Sequence, residues 1–239
     1  MSDDASDNSG TDHPRHVRSF VLRAGRLTHA QERALEVLWP VYGIDFSTTP
    51  LDFDVIFQRH APRLLEIGFG AGEALLAFAG NHPDYDCIGI EVHPPGVGHL
   101  LLGVEREQLA NVRVIAHDAV EVLAQTLAPR SIDLIHIFFP DPWPKKRHHK
   151  RRLIQPAFVR LLERVLSLQG EVRLATDWEH YAFQMREVFE RDESFINVHG
   201  ANTFAPRTDA RPLTRFERRG QRLGHDVWDL HYRRHVAIG

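Results

Sequence analysis

Five acids stand where a parallel sheet would present its ligands. The ends of five strand-like apolar runs deliver Glu66, Glu91, Asp118, Asp141 and Asp177 in turn. Polar residues often close strands, which accounts for one or two of these and poorly for five in succession. The first acid opens a glycine loop, Glu66-Ile67-Gly68-Phe69-Gly70-Ala71-Gly72. Glycines such as Gly68 and Gly70 let backbone approach a ligand closely at a helix N-terminus. A dinucleotide fingerprint reads G-x-G-x-x-G, and Gly72 arrives one residue early for it. Glu91 lies 19 positions past Gly72 (91 − 72), where an acid accepts hydrogen bonds from ribose hydroxyls. Glu66 would repel a phosphate at the same place. A cationic, phosphate-free adenosine compound suits this set, and S-adenosylmethionine is the candidate, its sulfonium favoured by Glu66.

The second chemical stretch is IFFPDPWPKKRHHKRR, residues 137–152. Pro140 and Pro142 stiffen the backbone around Asp141, and Trp143 offers an aromatic face for a base. Behind them Lys145, Lys146, Arg147, Lys150, Arg151 and Arg152 surround His148 and His149 with no acid among them. Pro-Asp-Pro is good turn chemistry, and a charge run is usually a solvated surface. One this dense, beside an aromatic at a ligand edge, points to a nucleic-acid backbone. Metal chemistry is not expected. Cys87 is the single cysteine, adjacent His148 and His149 diverge, and the other histidines lack ligand spacing.

These residues require a scaffold of alternating strands and helices. Strands are predicted over 63–69, 86–92, 112–118, 131–139 and 170–177, with two final ones in FINVH and VWDLHYRRH. Helices are predicted between them, over 73–82, up to Leu109, over 119–127, over 151–166 and after Asp177. An earlier helix should start at Thr28, with Ala34, Leu35, Leu38 and Trp39 on one face. The expected fold class is α/β, a doubly wound, mostly parallel seven-stranded Rossmann-like sheet with helices on both faces.

A chain of 239 residues, 43% hydrophobic and of net charge −3, makes one α/β domain with appendages. No apolar run approaches the roughly 18 residues of a membrane span. The start, MSDDASDNSGTDHP, lacks a signal peptide's pattern, so residues 1–16 are expected to be a disordered acidic tail on a cytoplasmic protein. Net charge hides local bias: residues 207–234 carry eight arginines against four acids.

In RSFVLRAGRLT, LLEIGFGAGEAL, GIEVH, FFPDPWPKKRHHKRRL, LATDW and LTRFERRG, the chain resembles the bacterial tRNA (guanine-N7-)-methyltransferases. The resemblance covers nearly everything after the acidic tail. It implies a class I methyltransferase domain over 61–239, behind a basic, helical lead-in over 17–60. It also implies transfer of a methyl group from S-adenosylmethionine to a variable-loop guanine of tRNA. Cofactor contacts are implied at Glu66, Glu91, Asp118 and Asp141, with Asp141 the catalytic position. Contacts to tRNA are implied at Lys145, Asp177 and Thr214, Arg215, Phe216 and Glu217. The basic loop Arg147, His148, His149, Lys150, Arg151 and Arg152 would touch RNA. A nicotinamide oxidoreductase fits less well, because Gly72 is early and no hydride-transfer residues appear. A non-catalytic RNA-binding module leaves the five acids unexplained. Monomer and homodimer are equally compatible with the sequence.

Overall fold

The computed structural model describes residues 19–20, 25–207 and 226–235. The expected acidic tail and the Thr214–Glu217 segment lie outside those residues. Helix α1 (His29–Val37) begins where Thr28 forms a capping box with Gln31. After α2 (Trp39–Tyr42), the edge strand β1 (Gly43–Ile44) and α3 (Phe53–Phe57), strands and helices alternate. They run β2 (Arg63–Ile67), α4 (Glu73–Asn81), β3 (Asp86–Ile90), α5 (Pro94–Glu107), β4 (Val112–Ile115) and α6 (Ala119–Glu121). Then follow β5 (Ile132–Phe138), α7 (Pro156–Val165), β6 (Leu166–Thr176), α8 (Glu179–Glu190), β7 (Phe195–Asn197) and β8 (Trp228–Arg234).

The strands form one sheet in the order β1-β4-β3-β2-β5-β6-β8-β7. Pairs from β1 through β6 are parallel, and β8 runs antiparallel to both β6 and β7. The order reverses direction between β2 and β5, which opens a crevice at their carboxyl ends. Alternation along β2 feeds two cores. Leu65 and Ile67 pack toward α7 and α8, while Leu64 packs toward α4 and α5. Burial on both faces is why these strands read as near-continuous apolar runs.

Several details depart from expectation. The sheet has an eighth strand, β1, whose two residues are too few to leave an alternation pattern. The helix expected over 119–127 is α-helical only over α6 and continues as a wider π-helical turn, Val122–Thr126. The helix expected from Arg151 starts at Pro156, since proline fits the first helical position and resists any later one. Lys146–Arg151 form a separate 3₁₀ helix instead. Among the described residues no helix is long and apolar enough to cross a membrane.

Candidate active site and nucleic-acid interface

An open cleft lies over the β2/β5 crevice. Of the residues singled out in the sequence, Gly68, Glu91 and Asp141 line it. Ile67, Phe139 and Leu153 supply apolar wall, His117 and Ala119 close the end over β4, and Ser19 and Phe20 border it from the lead-in. Ser19 and Phe20 belong to the quoted RSFVLR motif, but nothing in their spacing assigned them a place. His117 sits beside Asp118, which drew attention in its stead. It stacks on Phe46 at 3.9 Å and bonds Glu121 through Nε2 at 2.5 Å.

The glycine loop is built as its residues require. Gly68 and Gly70 have φ of 72° and 57°, and a Cβ at either would meet nothing within 4 Å. Both supply a left-handed backbone, and Gly68 leaves its part of the cleft lining bare of side chain. Glu91 holds this loop in place. Its Oε2 accepts from the Gly70 amide at 2.9 Å, and Oε1 accepts from Val92 and His93 at 2.7 and 3.1 Å. A carboxylate offers about four acceptor positions, so about one remains for a ligand hydroxyl.

Glu66 differs from its expected role as a fixed negative charge. It follows Leu64 on the α4/α5 side of β2 and is 3% exposed. Oε2 has no hydrogen-bond partner among the described residues, and burial pushes the carboxyl up to about 8. At neutral pH in the free protein it is therefore mostly a neutral acid. Asp118 caps α6, its carboxylate accepting from the Val120 amide at 2.8 Å.

Asp141 is exposed on a turn with unusual backbone. Phe139 and Trp143, neither a glycine, have φ of 53° and 44°. Such conformations persist where contacts over-determine them. The Phe139 amide donates to Ala175 O at 2.7 Å, and the Trp143 indole donates to Ser19 O at 3.0 Å. Arg152 Nε donates to Pro142 O at 2.8 Å. One face of the partly exposed Trp143 ring is occupied. The Arg151 guanidinium lies 4.2 Å over the ring, and His148 meets it edge-on. The indole is a fastening between the turn and the lead-in.

The basic loop divides by exposure. Lys145, Lys146, Arg147 and Lys150 face solvent, Arg151 is partly covered, and Arg152 is buried. His148 and His149 are held below the usual histidine range, by desolvation first and then by cations such as Arg147 and Arg152. They add little charge at neutral pH. Asp177, half-buried, sits between the end of β6 and Trp178, the N-cap of α8. Among the described residues no three histidine, cysteine, aspartate or glutamate side chains are grouped to hold a metal.

Residues 60–230 match the protein family described as "Putative methyltransferase". The tRNA (guanine-N(7)-)-methyltransferase of Aeromonas hydrophila subsp. hydrophila is 53% identical over 220 residues, 92% of this chain and 93% of its own. A protein of the same name from Alkalilimnicola ehrlichii is 54% identical over 227 residues, 94% and 95% of the two chains. Among solved structures, the 16S rRNA methyltransferase KamB superposes with a TM-score of 0.58 at 13% identity, covering 77% of this chain and 93% of that one. An rRNA methylase from Streptococcus thermophilus gives 0.51 at 10% identity, covering 89% and 100%. At such identities the two structures speak to the fold.

Proposed function

This chain belongs to the tRNA (guanine-N(7)-)-methyltransferase family, and we propose that it transfers a methyl group from S-adenosylmethionine to N7 of a variable-loop guanine in tRNA. One observation carries the reading. A single cleft joins an open glycine floor and Glu91 to the Asp141 turn, and exposed cations follow directly behind that turn.

The residues present fit the cofactor. Gly68 and Gly70 leave room against backbone, Glu91 keeps an acceptor position for a ribose hydroxyl, and Glu66 has an unpartnered oxygen below the loop. S-adenosylmethionine, when bound, supplies an electrophilic methyl group on a sulfonium. Asp118 and Ala119 would border its adenine end.

Guanine N7 makes modest demands on the chain. Its lone pair lies in the ring plane, so no side chain must remove a proton first. The protein has to orient the purine, exclude water and tolerate positive charge developing on the ring. Asp141, in the cleft, and Asp177, at the end of β6, are the acids that would hold the guanine and oppose that charge. Ile67, Phe139 and Leu153 supply the apolar wall that would shield the reacting edge from water. The exposed Lys145, Lys146, Arg147 and Lys150 would grip phosphate.

Methyl-labelled S-adenosylmethionine tests the reading. Label should enter unmodified tRNA and stay out of tRNA carrying adenine at the variable-loop position. The cofactor half has its own test. Glu91→Ala removes both the spare acceptor and the tie to Gly70, so S-adenosylhomocysteine affinity should fall by about 1–3 kcal/mol. Affinity for tRNA should be nearly unchanged. Calorimetry showing unaltered cofactor binding would contradict the placement.

A further inference from the structure

Arg152 stands in the basic loop yet behaves unlike its neighbours. It is 2% exposed, and no carboxylate among the described residues comes within ion-pair distance of it. A backbone carbonyl, a side-chain amide and an imidazole ring nitrogen hold the guanidinium. Nε donates to Pro142 O at 2.8 Å, while Nη1 donates to Gln184 Oε1 at 2.5 Å and His180 Nδ1 at 3.0 Å. The plane lies 4.8 Å over the Tyr181 ring. Nη2 has no acceptor among the described residues.

A buried cation without a counter-charge, and with one end unsatisfied, is a poor way to gain stability. At 2% exposure the guanidinium offers almost no surface to a phosphate in this conformation. Its partners suggest what the arrangement achieves. Pro142 directly follows Asp141, and His180 lies three positions after Asp177, in the first turn of α8. One rigid fork therefore spans the two turns that carry these acids, and its planar donors suit fixed geometry better than a flexible ammonium would. The next residues continue the seam: the Ile154 amide donates to the Tyr181 hydroxyl at 3.0 Å, and Gln184 Nε2 donates to Ile154 O at 3.3 Å.

We propose that Arg152 is a positioning residue that sets the spacing between the Asp141 turn and the Asp177 end of β6, and that it makes no contact with RNA phosphate. This rests on the tRNA methyltransferase reading above. A wild-type protein that transfers no methyl group would end that reading and this assignment with it.

The experiment compares Arg152→Lys, Gln184→Met, the double variant and Arg147→Ala with the wild type. Each is measured for tRNA affinity against salt, S-adenosylhomocysteine affinity, and single-turnover rate at saturating tRNA per analogue-binding site. Normalising by sites removes any loss of folded protein. Arg152→Lys should keep the parental salt slope and cofactor affinity, yet react at least tenfold more slowly with tRNA saturating. Gln184→Met, which cuts only the α8 end of the fork, should also slow the reaction, and the double variant should lose less than the product of the two. Arg147→Ala should do the reverse, with a flatter salt slope and a rate that recovers at saturation. If Arg152→Lys proves insoluble, Gln184→Met decides, and an unchanged rate there overturns the proposal. A flattened salt slope in Arg152→Lys with full rate at saturating tRNA would overturn it too.

Discussion

Replacing Asp141 by asparagine should lower single-turnover methylation at saturating tRNA by about 10²-fold, the scale on which one preorganised electrostatic group acts. Asparagine keeps the side chain's shape. The turn should survive the change, because its backbone is fixed from outside the aspartate by the Phe139, Trp143 and Arg152 bonds. What disappears is a negative charge beside a purine that becomes cationic as it is methylated. Binding of tRNA should change little, and in the favourable direction, since an acid near phosphate is repulsive. A rate loss matched by an equal loss of tRNA affinity at every concentration would make Asp141 a tether, and its electrostatic role would be wrong.

The four exposed cations should show the opposite pattern. Each side chain that neutralises a phosphate releases counterions, with a log–log salt slope of about −0.7 to −0.9 per contact. Alanine at Lys145, Lys146, Arg147 and Lys150 together should flatten that slope by about 3 if all four are engaged. Affinity for tRNA should fall steeply at low salt, and the single-turnover rate should recover substantially once tRNA saturates. Arg151 and Arg152 are left in place because one covers Trp143 and the other braces the Asp141 turn. If the four-alanine protein keeps the parental slope, the loop is a solvated surface.

Much of this was legible in the chain for local reasons. A parallel sheet buried on both faces writes itself as apolar runs, and Glu66, Glu91, Asp118, Asp141 and Asp177 mark where those runs end. Thr28 as a helix cap and the left-handed glycines of the loop follow from single-residue chemistry. What stayed hidden depends on tertiary contact. Charge counting treats Arg151 and Arg152 like Lys150, although the fold sends one over Trp143 and the other under the turn toward α8. Trp143 reads as an open ring because Ser19, its hydrogen-bond partner, is 124 residues away. Glu66 reads as a charge because the sequence does not display the desolvation that raises its pKa. Strand β1 is two residues long and pairs with β4 across the chain, too short for any periodicity.

The identity of the product is the most direct test of methyl transfer to guanine N7. Unmodified tRNA is incubated with the protein and S-adenosylmethionine, digested to nucleosides and analysed by mass spectrometry, with nuclease fragments locating the change. The expected result is 7-methylguanosine at a variable-loop guanine and no modification in tRNA lacking that guanine. A methyl group on a pyrimidine, on a ribose hydroxyl or on the exocyclic amine of guanine would contradict it.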